Sequence, residues 1–87
     1  MISEVAGRHL KRSVMELGGN DPFIVLPDAD LELAVEHAVK SRSVNAGQVC
    51  FSPKRFIIAK EVYERFRDKL VEKLNQLKYG NPHDPET

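Results

Sequence analysis

Pro22-Phe23-Ile24-Val25-Leu26-Pro27-Asp28-Ala29-Asp30-Leu31 is the stretch from which the fold can be read. Four apolar residues run unbroken between two prolines, the pattern of a strand buried on both faces, as strands of a parallel sheet are when crossover helices cover them. Asp28, Ala29 and Asp30 then offer helix N-cap candidates and place negative charge where the helix dipole is positive. Leu31, Ala34, Val35 and Ala38 follow at i, i+3, i+4 and i+7, which predicts a helix ending between Ser43 and Asn45.

Downstream, Asn45 to Pro53 has loop chemistry, with glycine and proline near its ends, and it carries Cys50. Arg55-Phe56-Ile57-Ile58-Ala59 reads as the next strand. Val62, Phe66, Leu70, Leu74 and Leu77, with Tyr63 and Val71, stripe a second helix stopped by Gly80 and Pro82, and the polar residues 81–87 form a loose tail. Upstream, Ser13-Val14-Met15-Glu16-Leu17 reads as a short strand, halted by Gly18-Gly19 and by the turn-like Asn20-Asp21-Pro22. Before it, Ile2, Val5, Ala6, His9 and Leu10 recur at helical spacing as far as Lys11-Arg12.

The order helix, strand, strand, helix, strand, helix specifies the α/β class, as a partial parallel sheet with flanking helices. Two or three strands leave sheet edges that ordinarily need further strands or a partner chain. The chain therefore reads as a piece of something larger or as an obligate homo-oligomer.

Composition narrows the function classes. Of the 87 residues, 41% are hydrophobic and 30% charged, which is globular composition and not that of a disordered segment. Thirteen basic residues balance 13 acidic ones, so there is no electrostatic footprint for nucleic acid. No apolar run approaches the roughly 18 residues of a membrane span, and Met1 to Val5 lacks the regions of a signal peptide; the expectation is a cytoplasmic protein. His9, His37 and His83 show no ligand spacing, so no metal site is expected. The charges from Glu61 to Lys73 decorate a helix surface, with i, i+4 support such as Glu61 with Arg65. A single cysteine excludes an internal disulfide and leaves Cys50 as a buried hydrophobe, a reactive thiol or a bystander. Glu16, taken alone, is a solvent-facing strand residue.

Two segments change that weighing: Met15-Glu16-Leu17-Gly18-Gly19-Asn20-Asp21-Pro22 and Asn45-Ala46-Gly47-Gln48-Val49-Cys50. In this order they resemble the two active-site signatures of the aldehyde dehydrogenase superfamily. Phe23 to Leu31 and Lys78 to Thr87 are also similar, so the resemblance covers practically the whole chain. It implies that a cysteine thiolate attacks the aldehyde carbon, that hydride passes to NAD or NADP, and that a glutamate activates the water that hydrolyses the thioester. By the same resemblance Cys50 matches the nucleophile and Glu16 the base, the Cys50 N–H contributes to an oxyanion hole, and Leu17 and Gly18 line the nicotinamide end of the cofactor site. The chemistry suits the residue types: a thiol with a free pKa of about 8.5 needs help to ionise, and a loop after a helix can present it beside backbone N–H groups. Two glycines after Glu16 allow backbone to approach a cofactor closely.

The resemblance also implies parts that these residues lack: an upstream dinucleotide-binding region, an oxyanion-hole asparagine and a downstream Glu-x-Phe-Gly-Pro segment. Residues 1–87 are thus expected to be one segment of a catalytic domain, with the cofactor-binding domain absent, and to bind no cofactor and show no turnover alone. Asn20 to Leu26 and Lys54 to Ile58 are most similar to the succinate-semialdehyde dehydrogenase group, which implies succinate semialdehyde as the small-molecule substrate. Arg42 is read either as a solvated arginine or as one approaching the substrate tunnel. The competing expectation is a non-enzymatic α/β module that self-associates or complements another fragment, using its strand edges.

Overall fold

Asp30 opens the central helix: its carboxylate accepts hydrogen bonds from the N–H groups of Glu32 at 3.0 Å and Leu33 at 3.2 Å, satisfying two donors that the helix cannot satisfy itself. The computed structural model describes residues 1–87. Its elements are α1 (Ile2–Arg8), β1 (Pro22–Val25), α2 (Leu31–Ser43), a tight turn at Val44–Gly47, β2 (Arg55–Ile58) and α3 (Tyr63–Asn75). β1 and β2 are parallel, with Pro22 opposite Arg55, Phe23 opposite Phe56, Ile24 opposite Ile57 and Val25 opposite Ile58. With α2 between them they form a βαβ unit, so the expected α/β class with a partial parallel sheet and flanking helices is what the chain adopts.

The core lies where one face of this two-stranded sheet meets α2 and α3. Val25, Val35, Ala38, Val62 and Phe66 are buried there, and Phe23, Leu31, Ala34, Phe56, Ile58 and Leu70 pack around them. The Phe23 ring sits 5.3 Å from that of Phe56 and 6.4 Å from that of Phe66, within the range of favourable tilted aromatic pairs. Lys69 of α3 reaches across to the Glu32 carboxylate of α2. On the surface of α3, Arg67 pairs with Asp68 rather than Glu61 with Arg65; the Asp68 hydrogen bond and charge raise the Arg67 pKa further above its ordinary value.

Four expectations are corrected. Ser13 to Leu17 form no strand, because β propensity becomes a strand only against a neighbouring ladder and β1 and β2 pair only with each other. The Phe23 to Leu26 run is buried on one face alone: Val25 is inside, while Ile24 is 60% and Leu26 59% exposed. Across the ladder Ile57 is also open, so the outer sheet face is an apolar surface without a covering layer. The helical stripe after Val62 stops short of Gly80, since α3 ends at Asn75 and Leu77 stays exposed.

The fourth correction is at the N-terminus. α1 ends before Lys11-Arg12 in a Schellman arrangement, with Lys11 N–H donating to Ala6 O at 2.8 Å and Leu10 N–H to Gly7 O at 3.1 Å. Leu10 takes the left-handed conformation, φ 52°, that this motif requires. α1 buries none of its residues, and the molecule is drawn out to 55 × 34 × 16 Å.

Candidate active site

Cys50 occupies the second position of a turn that begins at Val49 and closes with the Ser52 N–H donating to Val49 O at 3.1 Å. The thiol-bearing residue is exposed. The loop that delivers it leaves α2 through three successive residues of positive φ: Asn45 at 50°, Ala46 at 55° and Gly47 at 75°. For a residue with a Cβ this region costs about 1–2 kcal/mol, which Asn45 offsets in part by donating from its side-chain amide to Gln48 O at 3.2 Å. Ala46 has no such compensation. The loop's backbone hydrogen bonds are donated by Gln48 and Ser52, so the Cys50 N–H is not consumed within the loop.

What holds this strained loop is its far end. Ser52 is fully buried and Pro53 is buried beside it. Arg42, in the last turn of α2, donates from Nη1 to Ser52 Oγ at 2.8 Å. A buried hydroxyl without a partner would be costly, and this one has a cationic donor. Of the two readings of Arg42, neither anticipates this hydrogen bond, and nothing in the residue types around Ser52 marks it as buried.

Glu16 lies in the irregular, exposed segment between α1 and β1 and not at a strand end. The segment is nevertheless tied to the cysteine loop. A Cβ built on Gly19 would overlap the Cys50 carbonyl oxygen and stand 3.1 Å from its carbonyl carbon, so glycine is required there for the two backbones to meet. Lys54 donates from Nζ to Gly19 O at 2.6 Å, and Arg55 donates to Asn20 O at 3.4 Å. Lys54 and Arg55, where β2 begins, thus grip the Glu16 motif at Gly19 and Asn20. The fold brings the two sequence motifs to one place, and the meeting point is Gly19 against Cys50. The second of the two glycines admits the cysteine loop.

Leu17 and Gly18, the cofactor candidates, stand in the open. Leu17 is 73% exposed, and nothing lies within 4 Å of a Cβ placed on Gly18. They offer one edge and no enclosing cradle. These residues do not by themselves fit a dinucleotide. No group of three or more His, Cys, Asp or Glu side chains is placed to hold a metal ion, and no helix is long and apolar enough to cross a membrane.

Comparison with known proteins is consistent across the chain. The aldehyde dehydrogenase family matches residues 1–87. Succinate-semialdehyde dehydrogenase [NADP(+)] of Mycobacterium avium is 50% identical over 86 residues, which are 99% of this chain and 18% of that protein. A similar protein from Mycobacterium tuberculosis, succinate-semialdehyde dehydrogenase [NADP(+)] 1, is 48% identical over 99% of this chain and 19% of its own length. Among solved structures, lactaldehyde dehydrogenase from Escherichia coli superposes with a TM-score of 0.84 at 40% identity, over 98% of this chain and 18% of that one. The chain therefore spans about a fifth of the length of the curated relatives it matches.

Proposed function

The chain belongs to the aldehyde dehydrogenase family, and from that premise we propose that it carries the cysteine and glutamate of an aldehyde-oxidising active site, as one segment of a catalytic domain. The observation that carries the reading is the contact between Gly19 and the Cys50 carbonyl, which holds the Glu16 motif against the cysteine loop. The substrate is a small aldehyde, and succinate semialdehyde is the favoured one, because the relatives at about 50% identity are named for it.

In this reading the Cys50 thiolate adds to the aldehyde carbon; the C–S bond forms and the carbonyl oxygen takes up negative charge near the free Cys50 N–H. Loss of hydride from that carbon would need an acceptor, NADP in the relatives' names, which the open edge of Leu17 and Gly18 does not hold alone; with such an acceptor supplied, the adduct would become a Cys50 thioester. Glu16 would then take a proton from water as the water attacks the thioester carbon. The C–S bond breaks, the carboxylate product leaves, and Cys50 is regenerated as thiolate.

The test is the pH-dependent alkylation of Cys50 by iodoacetamide, in the wild type and in Glu16→Gln, with and without NAD and NADP. Support is a rate well above that of a free thiol, an apparent pKa below roughly 8 and a response to Glu16→Gln. A slow thiol indifferent to Glu16 in a folded chain would sink it.

A second reading is favoured by one observation, the open apolar face of Ile24 and Ile57. In it the chain acts by assembly, pairing with a second copy or a complementary segment, without catalysis.

A further inference from the structure

We infer that Arg42 is a positioning residue for Cys50, acting as a latch: its hydrogen bond to the buried Ser52 closes the loop that carries the cysteine. Only the catalytic consequence rests on the function proposed above. An arginine in the last turn of a helix would ordinarily extend into water or toward the helix's own terminal carbonyls. Arg42 is exposed, yet its guanidinium also reaches forward over the loop that follows it. Its Nη1 lies 2.8 Å from Ser52 Oγ, and Ser52 has no exposed surface.

The same guanidinium lies across Gly47. A Cβ there would be 2.9 Å from Arg42 Nη1, 2.9 Å from Arg42 O and 3.2 Å from Cζ. Gly47 is thus required twice, for its positive φ and for the passage of Arg42 over it. Between the two ends of the latch lie Asn45 and Ala46, in a backbone region that residues with a Cβ rarely adopt. Such a conformation persists only when its surroundings enforce it. Arg42 and Ser52 join the loop's two ends directly, and Cys50 stands two residues before the anchored serine.

The experiment compares the 87-residue chain with Arg42→Met, Arg42→Lys, Ser52→Ala and the double variant Arg42→Met with Ser52→Ala. It measures amide hydrogen exchange at Gln48 and Ser52, the loop amides that donate backbone hydrogen bonds, and the pH profile of Cys50 alkylation. The expected result is faster exchange, by about tenfold, in Arg42→Met and in Ser52→Ala, the scale of one charge-assisted hydrogen bond. The double variant should match either single one, and Arg42→Lys, which keeps a donor, should recover part of the protection. The alkylation profile should shift in step with exchange.

Additive effects in the double variant, or unchanged exchange in a folded Arg42→Met chain, would overturn the latch. Should Arg42→Met fail to fold, Ser52→Ala carries the same expectation while leaving the arginine in place, and unchanged exchange there is equally fatal. Indifference of alkylation to Glu16→Gln would sink the aldehyde-oxidation reading while leaving the coupling between Arg42 and Ser52 measurable.

Discussion

Gly19 and Cys50 are in backbone contact: a methyl group on Gly19 would overlap the Cys50 carbonyl oxygen. Through this contact the irregular segment carrying Glu16 and the loop carrying Cys50 share one location, although neither belongs to a helix or strand. The contact is rigid on both sides, because each partner is main chain and cannot swing away as a flexible side chain would.

Gly19→Ala is therefore expected to force the two segments apart, with a loss of about 1–3 kcal/mol in stability, read by urea denaturation. The chemical shifts of Cys50 and its neighbours should move more than those of α3. A fully tolerated alanine with unchanged Cys50 resonances would show that the segments do not meet in solution.

Lys54→Met removes the 2.6 Å donor to Gly19 O while keeping most of the aliphatic stem. Because Lys54 is exposed, the expected cost is small, about 1 kcal/mol or less. The informative readout is local: the chemical shifts of Gly19 and Asn20 should move while those in α2 stay constant.

Gly47→Ala adds a Cβ at φ 75° and against Arg42. The backbone strain alone is about 1 kcal/mol, and displacement of the guanidinium adds to it. Thermal unfolding should show a lower midpoint, whereas a stabilising alanine would mean that Gly47 does not hold a left-handed conformation.

Phe66→Ala strikes the centre of a core with only five fully buried hydrophobic side chains. Its ring faces that of Phe23 at 6.4 Å. A cost of about 3–5 kcal/mol is a large share of the 5–15 kcal/mol typical of folded domains. Circular dichroism should find this variant largely unfolded near room temperature.

Ile24→Thr combined with Ile57→Thr keeps β-branched residues in the ladder while removing apolar surface from the open face. If copies of this chain associate through that face, sedimentation velocity should show the oligomer of the parent chain shifting to monomer. An unchanged distribution would assign assembly to another surface.

The sequence alone determined what depends on near neighbours along the chain. Asp30 as N-cap, the Leu31–Ser43 helix, the strand at Arg55–Ile58, the helix after Val62 and the loop character of the cysteine segment are legible, because capping, periodicity and turn chemistry operate over a few residues. So were the two motifs that resemble the aldehyde dehydrogenase signatures. Ser13 to Leu17 form no strand because a strand is a relationship with another strand, and their residue types say nothing of whether that neighbour is present. Ile24 was misread for the same reason, since covering the second face of a sheet takes a further layer of chain. Only the tertiary structure placed Gly19 on Cys50, Lys54 on Gly19 and Arg42 on Ser52. Those contacts are fixed by how the βαβ unit packs, and a serine buried by packing has the same letter in the sequence as one in water.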